Sequence, residues 1–322
     1  MRVLVTGCAG FLGSHLSEAL LARGHTVVGI DCFTDLYSRE RKASNLCNVL
    51  RVPRFILHEA DLATADLAPL VRGIDLVYHM AGQPEVQAGW GIDFASHTTN
   101  NLLATQRLLE AVKGLPLRKF VHASSAAVYG DNTGVPRTEE MTPQPTSPHG
   151  LTTLSAEQLV QLYWRQHGTP TISLRYFTAF GPRQRPDMDI DRFIRAILAD
   201  RPLIVSGAGD QPRDFTAIED VITATLAAGK TDAVGVACNV GGGTRVSIDN
   251  VLAHLARLLR RPLRVRYTES RCGDTPRAIA DMSRAAALLD YRPRIRMEAG
   301  LAAQIAWIRR QPDDDTHAEA VA

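Results

Sequence analysis

A chain of 322 residues with 45% hydrophobic content can bury a large core, which predicts one enzyme-sized unit of two intimate domains. With 36 basic and 34 acidic side chains the net charge is +2, so nothing draws the whole chain to nucleic acid. Cys8, Cys32, Cys47, Cys238 and Cys272 are scattered without metal spacing, which predicts reduced cytosolic thiols and no metal site.

The first predicted strand, Val3–Thr6, runs into Gly7-Cys8-Ala9-Gly10-Phe11-Leu12-Gly13 and then a helical pattern over Leu12–Ala22. Met1-Arg2 precedes it directly, so no signal peptide is expected. Strand, glycine loop and helix are the opening of a dinucleotide-binding unit. Gly7 takes a tight turn, Gly10 lets backbone approach a pyrophosphate, and Gly13 lets the helix lie close on the strand. The helix start at Phe11 and Leu12 offers unpaired N–H groups and a positive dipole end. The spacing is Gly-x-x-Gly-x-x-Gly, and glycines alone also mark a turn with no ligand.

The second predicted strand, Val27–Asp31, ends on a carboxylate 18 residues after Gly13 (31 − 13 = 18). Asp31 there accepts hydrogen bonds from the adenosine ribose and repels a 2′-phosphate, which predicts NAD over NADP. A basic, helix-like segment follows through Arg41 and Lys42. After the third strand, Arg54–Leu57, Asp61 and Leu62 stand where a carboxylate holds the adenine amino group or simply caps a helix. The fourth strand, Leu76–Met80, leads into Ala81, Gly82 and Gln83, small enough for backbone to lie against a cofactor or to form a plain turn.

A helical pattern over Leu102–Val112, strands at Phe120–Ser124 and Thr171–Tyr176, and a helix over Ala156–Gln166 continue the alternation. This predicts a Rossmann-type doubly wound parallel α/β sheet. Helices are expected at Arg192–Ala199, Asp220–Ala228, Asp249–Leu259 and Gly300–Arg309, giving a smaller C-terminal α/β domain. The expected division is a cofactor domain over 1–175 and a mainly substrate domain over 176–322, with segments near 214–240 returning to the sheet. No apolar run reaches the length of a membrane span. The end from Pro312 through Asp313, Asp314 and Asp315 is expected to fray.

The glycine loop, Asp31, Asp61, His79–Gln83, Asn101 and Ser124-Ser125-Ala126-Ala127-Val128-Tyr129-Gly130 resemble the extended short-chain dehydrogenase/reductase family of nucleotide-sugar epimerases, dehydratases and decarboxylases. The resemblance covers nearly the whole chain. Asp31–Asp35, Gln83-Pro84, Trp90-Gly91 and, most specifically, Arg183–Met188 are similar to the UDP-glucuronate 4-epimerases. It implies that Asn101, Ser124 and Tyr176 also face the cofactor and that the protein is a homodimer, formed through helices near 94–112 and 150–167.

The family uses a hydroxyl and a base beside the nicotinamide. Ser125 matches the hydroxyl. Ala126 and Ala127 stand where dehydratases and decarboxylases of the family carry acids, which disfavours both reactions. The Tyr-x-x-x-Lys motif is altered: Ser147-Pro148-His149-Gly150-Leu151-Thr152-Thr153 places His149 at the tyrosine and Thr153 at the lysine. The lysine normally lowers the tyrosine pKa, and an imidazole titrating near 6.5 has no need of it. A histidine base therefore predicts turnover that falls below about pH 6.5, shifted by its surroundings. His149 is then either the base or a bystander in a disabled site.

In the second half the resemblance assigns Thr178 to the sugar, Arg213 and Arg271 to the nucleotide diphosphate, and Asp274 to the ribose. Pro276 and Arg277 depart from the Arg-His pair usual in the subgroup. Arg185 is the candidate for a uronate carboxylate, with Arg192 as a weaker one, because guanidinium binds carboxylate bidentately. The expected activity is that of a cytoplasmic NAD-dependent 4-epimerase of a UDP-uronic acid, acting through a transient 4-keto sugar. Two alternatives stand beside it: a NAD- and UDP-sugar-binding protein without redox catalysis, and another reaction on the same sugar with His149 as base.

Overall fold

The computed structural model describes residues 1–84, 90–131, 136–269 and 278–311. Six apolar segments form strands β1 (Arg2–Thr6), β2 (Thr26–Asp31), β3 (Phe55–Glu59), β4 (Leu76–His79), β5 (Lys119–Ser125) and β6 (Thr171–Tyr176). A further strand, Val236–Val240, pairs with β6 at the sheet edge. The seven-stranded order is Val236–Val240, β6, β5, β4, β1, β2, β3, and every pairing is parallel. Both faces are covered by helices, which is why β1 and β4 are apolar runs and not alternating ones.

The chain reverses direction across the sheet between β1 and β4. Thr6 lies level with both Ile30 and His79, so three strand ends open one crevice at the sheet's C-terminal edge. Ligands of open α/β sheets bind at such a switch point.

Two apolar clusters sandwich the sheet, one including Val3, Leu16 and Val221, the other Leu4, Leu108 and Phe120. A separate core in the second half is built from Phe193, Ile194, Val251, Leu255, Leu301 and Ile305. Helices Asp189–Leu198, Ile248–Leu259 and Met297–Ile308 bury their apolar faces there. No helix of the described residues is long and apolar enough to cross a membrane.

Two helices have starts that depart from their apolar periodicity in ways that shape the cavity. The one expected from Ala156 spans Pro148–His167, because Ser147 caps it, Pro148 fits its first turn, and Gly168 ends it at φ 67°. The one expected from Leu102 is preceded by a π-helical stretch, Thr98–Leu103. Such stretches are rare and frequent at functional sites; this one carries Asn101.

Candidate active site

Sequence dictates the glycine loop through close approach. Gly7 has φ +66°, and a Cβ on it would stand 2.8 Å from the Ala81 backbone nitrogen. A Cβ on Gly13 would stand 2.1 Å from the Gly7 carbonyl oxygen, so helix Phe11–Ala22 rests directly on the loop. No side chain caps that helix at Gly10. Its first N–H groups therefore remain a site for anionic oxygen. The Asp31 carboxylate accepts from the backbone N–H of Ala9 (2.9 Å) and Phe33 (2.8 Å), holding β2's end against the loop. Asn45 donates to the Ala9 carbonyl at 2.9 Å and braces it from the other side.

At β4 the small residues are fixed by polar side chains. The Gln83 N–H donates to Asn101 Oδ1 (2.6 Å), while Asn101 Nδ2 donates to the Gln83 carbonyl (3.1 Å) and to Thr152 Oγ1 (2.9 Å). Asn101 thus pairs with Gln83 as a neighbouring strand would. His79 bridges the Thr6 and Thr105 hydroxyls at 2.7 and 2.9 Å, and burial lowers its pKa to about 3. Asp61 accepts from the Ala63 N–H at 2.8 Å, so it does form a local turn as well as facing the crevice.

Helix Pro148–His167 brings its 149, 153 and 157 positions onto one face at i, i+4 and i+8. Gly150 lets the helix start close to the Ser125 turn: a Cβ there would meet the Ala127 carbonyl oxygen at 2.6 Å. Ser125 Oγ accepts from the Ala127 N–H at 3.1 Å. His149 Nδ1 faces the Gln83 carbonyl oxygen at 3.1 Å, with Thr153 Oγ1 3.4 Å away. A ring nitrogen opposite a carbonyl oxygen must carry the proton, so Nε2 holds the lone pair. Burial lowers the His149 pKa to about 4, and the nearby Arg185 charge adds to it against the Gln83 bond. The expected titration near 6.5 is therefore corrected to about 4: the ring stays neutral throughout the ordinary range, with its lone pair available but less basic than that of a free imidazole.

Behind this face lies a buried network that motif spacing missed. Ser124 Oγ donates to Glu157 Oε2 (2.6 Å). Arg175 Nε and Nη2 donate to Glu157 at 3.0 and 2.6 Å, the two side chains being 5% and 2% exposed. Arg175 also donates to the Tyr129 hydroxyl, which donates to Asn239 Oδ1 at 2.7 Å. The sequence signal was present: an arginine inside an apolar strand needs a buried partner, and Glu157 follows Thr153 by one helical turn.

Residues 185–188 form a turn on the cavity wall. Met188 N–H donates to the Arg185 carbonyl at 3.2 Å, with Pro186 at the position where its fixed φ suits a β-turn. The turn folds Asp187 back onto Arg185, whose Nε and Nη2 reach its carboxylate oxygens at 3.0 and 2.8 Å.

One cavity of about 710 Å³ collects these elements. Its wall includes Gly7, Gly10, Phe11, Leu12, Gly13, Asp31, Asp61, Leu62, Ala81, Gly82, Gln83, Asn101, Ser124, Ser125, His149, Thr153, Tyr176, Thr178, Arg185 and Arg213. Tyr37, Lys42 and Asp187 line it too, and sequence reasoning did not single them out. Arg192 is the exception among the expected residues: it is not on the wall but donates to Asp189 at 2.6 Å. On helix Asp189–Leu198 it stands one turn after Asp189, and that carboxylate holds its guanidinium. Arg271 and Asp274 lie outside the described residues. So do Cys272, Pro276 and Arg277; Cys8, Cys32, Cys47 and Cys238 are free thiols. Among the described residues no cluster of side chains could hold a metal ion. A glycine cradle that a Cβ would fill, an uncapped helix start and a ribose-side carboxylate on one wall fit a dinucleotide.

Residues 3–241 match the NAD dependent epimerase/dehydratase family, and the chain belongs to it. It is 39% identical over 310 residues to the uncharacterized UDP-glucose epimerase YtcB of Bacillus subtilis, covering 96% of this chain and 98% of that one. It is 32% identical over 308 residues to the UDP-glucuronate 4-epimerase of Thermodesulfobacterium geofontis, covering 94% and 95%. Among solved structures it is similar to the UDP-glucuronic acid 4-epimerase of Bacillus cereus in complex with UDP-glucuronic acid and NAD. The two share 41% identity and a TM-score of 0.94 over 96% of this chain and 99% of that one.

Proposed function

We propose that this family member is a NAD-dependent 4-epimerase of a UDP-uronic acid, interconverting UDP-glucuronate and UDP-galacturonate through a transient 4-keto sugar. The observation that carries the reading is the His149 ring, pinned through Nδ1 to Gln83 with its lone pair on Nε2. It occupies the motif position of the usual tyrosine and lies on the same cavity wall as Ser125 and Arg185. The relatives named UDP-glucuronate 4-epimerase, one of them solved with UDP-glucuronic acid and NAD, support the substrate.

The glycine loop, the start of helix Phe11–Ala22 and Asp31 would hold NAD, which supplies reversible hydride acceptance when bound. His149 Nε2 takes the proton of the C4 hydroxyl, directly or through Ser125, and returns it to the C4 oxygen after the 4-keto sugar has rotated to present its other face. Thr153 replaces an ammonium group with a hydroxyl, so the cofactor ribose loses a cationic contact and turnover is slow. Arg185 reads the uronate carboxylate, while Arg213, Arg271 and Asp274 take the diphosphate and ribose of the nucleotide. Residues 1–175, with segments near 214–240, bind the cofactor, and 176–322 mainly the sugar nucleotide. The protein works as a cytoplasmic homodimer. Phe94, Leu103, Leu151 and Leu162 are exposed apolar residues around helices Ala104–Val112 and Pro148–His167, which suits them to a subunit contact.

The test is incubation of the purified, NAD-supplied protein with UDP-glucuronate and separation of the UDP-uronic acids. UDP-galacturonate is the expected product. Tight binding with no product, restored to activity in a His149→Tyr/Thr153→Lys variant, would establish the alternative of a silenced binding protein. The altered motif is what favours that second reading.

A further inference from the structure

The fork of Arg185 is held from within the chain. Asp187 takes its Nε and Nη2, and both residues face the cavity. The pair is not a loose surface contact: the Arg185 side chain is only 17% exposed, and Pro186 fixes the turn that joins the two. Asp187, at 37%, is the more accessible partner.

Tyr37 lies on the same wall, in the loop between β2 and helix Arg39–Leu46, and is 4% exposed. Its hydroxyl is buried and has no hydrogen-bond partner among the described residues. Lys42 Nζ sits 4.9 Å from its ring centroid and donates to the Thr34 hydroxyl at 2.9 Å, which holds the ring in place. A buried hydroxyl left unpaired is costly, so a rigidly held one at a cavity wall suits a second state in which it gains an acceptor. Burial pushes the phenol up to about 12, so it remains a donor, and the charges of Arg185 and Asp187 both reach it.

We infer that Asp187 is an internal competitor that occupies the Arg185 fork until a sugar carboxylate displaces it, and that Tyr37 then donates to the released Asp187. The inference rests on Arg185 reading the uronate. An incoming carboxylate exchanges like for like at the guanidinium, which keeps a bidentate anion, while the displaced Asp187 trades its cation for the Tyr37 hydroxyl. A neutral hydroxymethyl group offers no such exchange. It would leave Arg185 with only a weak acceptor, so the internal pair stays closed and UDP-hexose binding does not depend on Asp187. The competing carboxylate is thus felt by the uronate alone.

Calorimetry on the full chain saturated with NAD, with UDP-glucuronate and UDP-glucose as ligands, tests the exchange. Asp187→Asn keeps the shape and removes the competing charge. It should tighten UDP-glucuronate roughly tenfold and leave UDP-glucose within about twofold. Tyr37→Phe should weaken UDP-glucuronate severalfold in the wild-type background and have no effect in the Asp187→Asn background. Unchanged or weaker UDP-glucuronate binding by Asp187→Asn would overturn the exchange and make Asp187 a brace. Equal effects of Tyr37→Phe in both backgrounds would remove Tyr37 from it. A wild type without preference for UDP-glucuronate, indifferent to Arg185→Ala, would bring down the Arg185 reading itself, and the exchange with it.

Discussion

Acidifying the assay separates a histidine base held neutral by its surroundings from an ordinary one. Burial, with the Arg185 charge beside it, lowers the His149 pKa from 6.5 to about 4. A shift of that size is worth roughly 3.4 kcal/mol of preference for the neutral ring, at about 1.36 kcal/mol per unit. At pH 6.0 an imidazole of pKa 6.5 is about one quarter neutral, whereas one of pKa about 4 is about 99% neutral. If His149 is the base, kcat/KM for UDP-glucuronate should therefore be flat between pH 8 and 6. An unperturbed histidine would give about a fourfold fall over that interval. Product formation is followed by separating the UDP-uronic acids, with circular dichroism at each pH to confirm folding. His149→Phe should abolish turnover at every pH. An inflection near pH 6.5 that disappears in a variant of another histidine, or full activity in His149→Phe, would refute the assignment.

The buried network predicts a large stability effect: Glu157→Ala leaves Arg175 buried without its anion and Ser124 without its acceptor, at a cost of about 3–5 kcal/mol in urea unfolding. A change below about 1 kcal/mol would contradict the geometry. His15, His79, His122 and His149 all have pKa values lowered by burial, to about 4, 3, 4 and 4. The unfolded chain therefore binds more protons below pH 6.5, so stability is full above that value and falls as pH drops toward 4. The loss is about 1.4 kcal/mol per histidine by pH 5.5, partly offset by Asp214, which burial raises to about 6; a urea midpoint independent of pH between 7 and 5.5 would count against it. Gly13→Ala should lower NAD affinity by more than about tenfold, because its Cβ overlaps the Gly7 backbone and no side chain can yield; Gly10→Ala, whose Cβ would lie 3.2 Å from the Gly7 oxygen, should cost less.

Much of this molecule is written locally. A run such as Val3-Leu4-Val5 is apolar on both faces because its sheet is covered on both sides, and that demand is visible in order of residues alone. Glycine spacing announces the loop, since only a missing side chain permits the contacts made at Gly7 and Gly13. Helical spacing likewise places positions 149, 153 and 157 on one face. Tertiary structure decided the rest. Which nitrogen of His149 carries its proton depends on the Gln83 carbonyl, 66 residues away. That Arg175 and Glu157 share a buried pair, that Arg192 leaves the cavity, and that Asp187 rather than solvent holds Arg185 are likewise settled only by packing. Sequence fixes the chemistry each side chain can perform; a pKa or an ion pair depends on which water is excluded and which charge lies opposite, and both are properties of the folded chain.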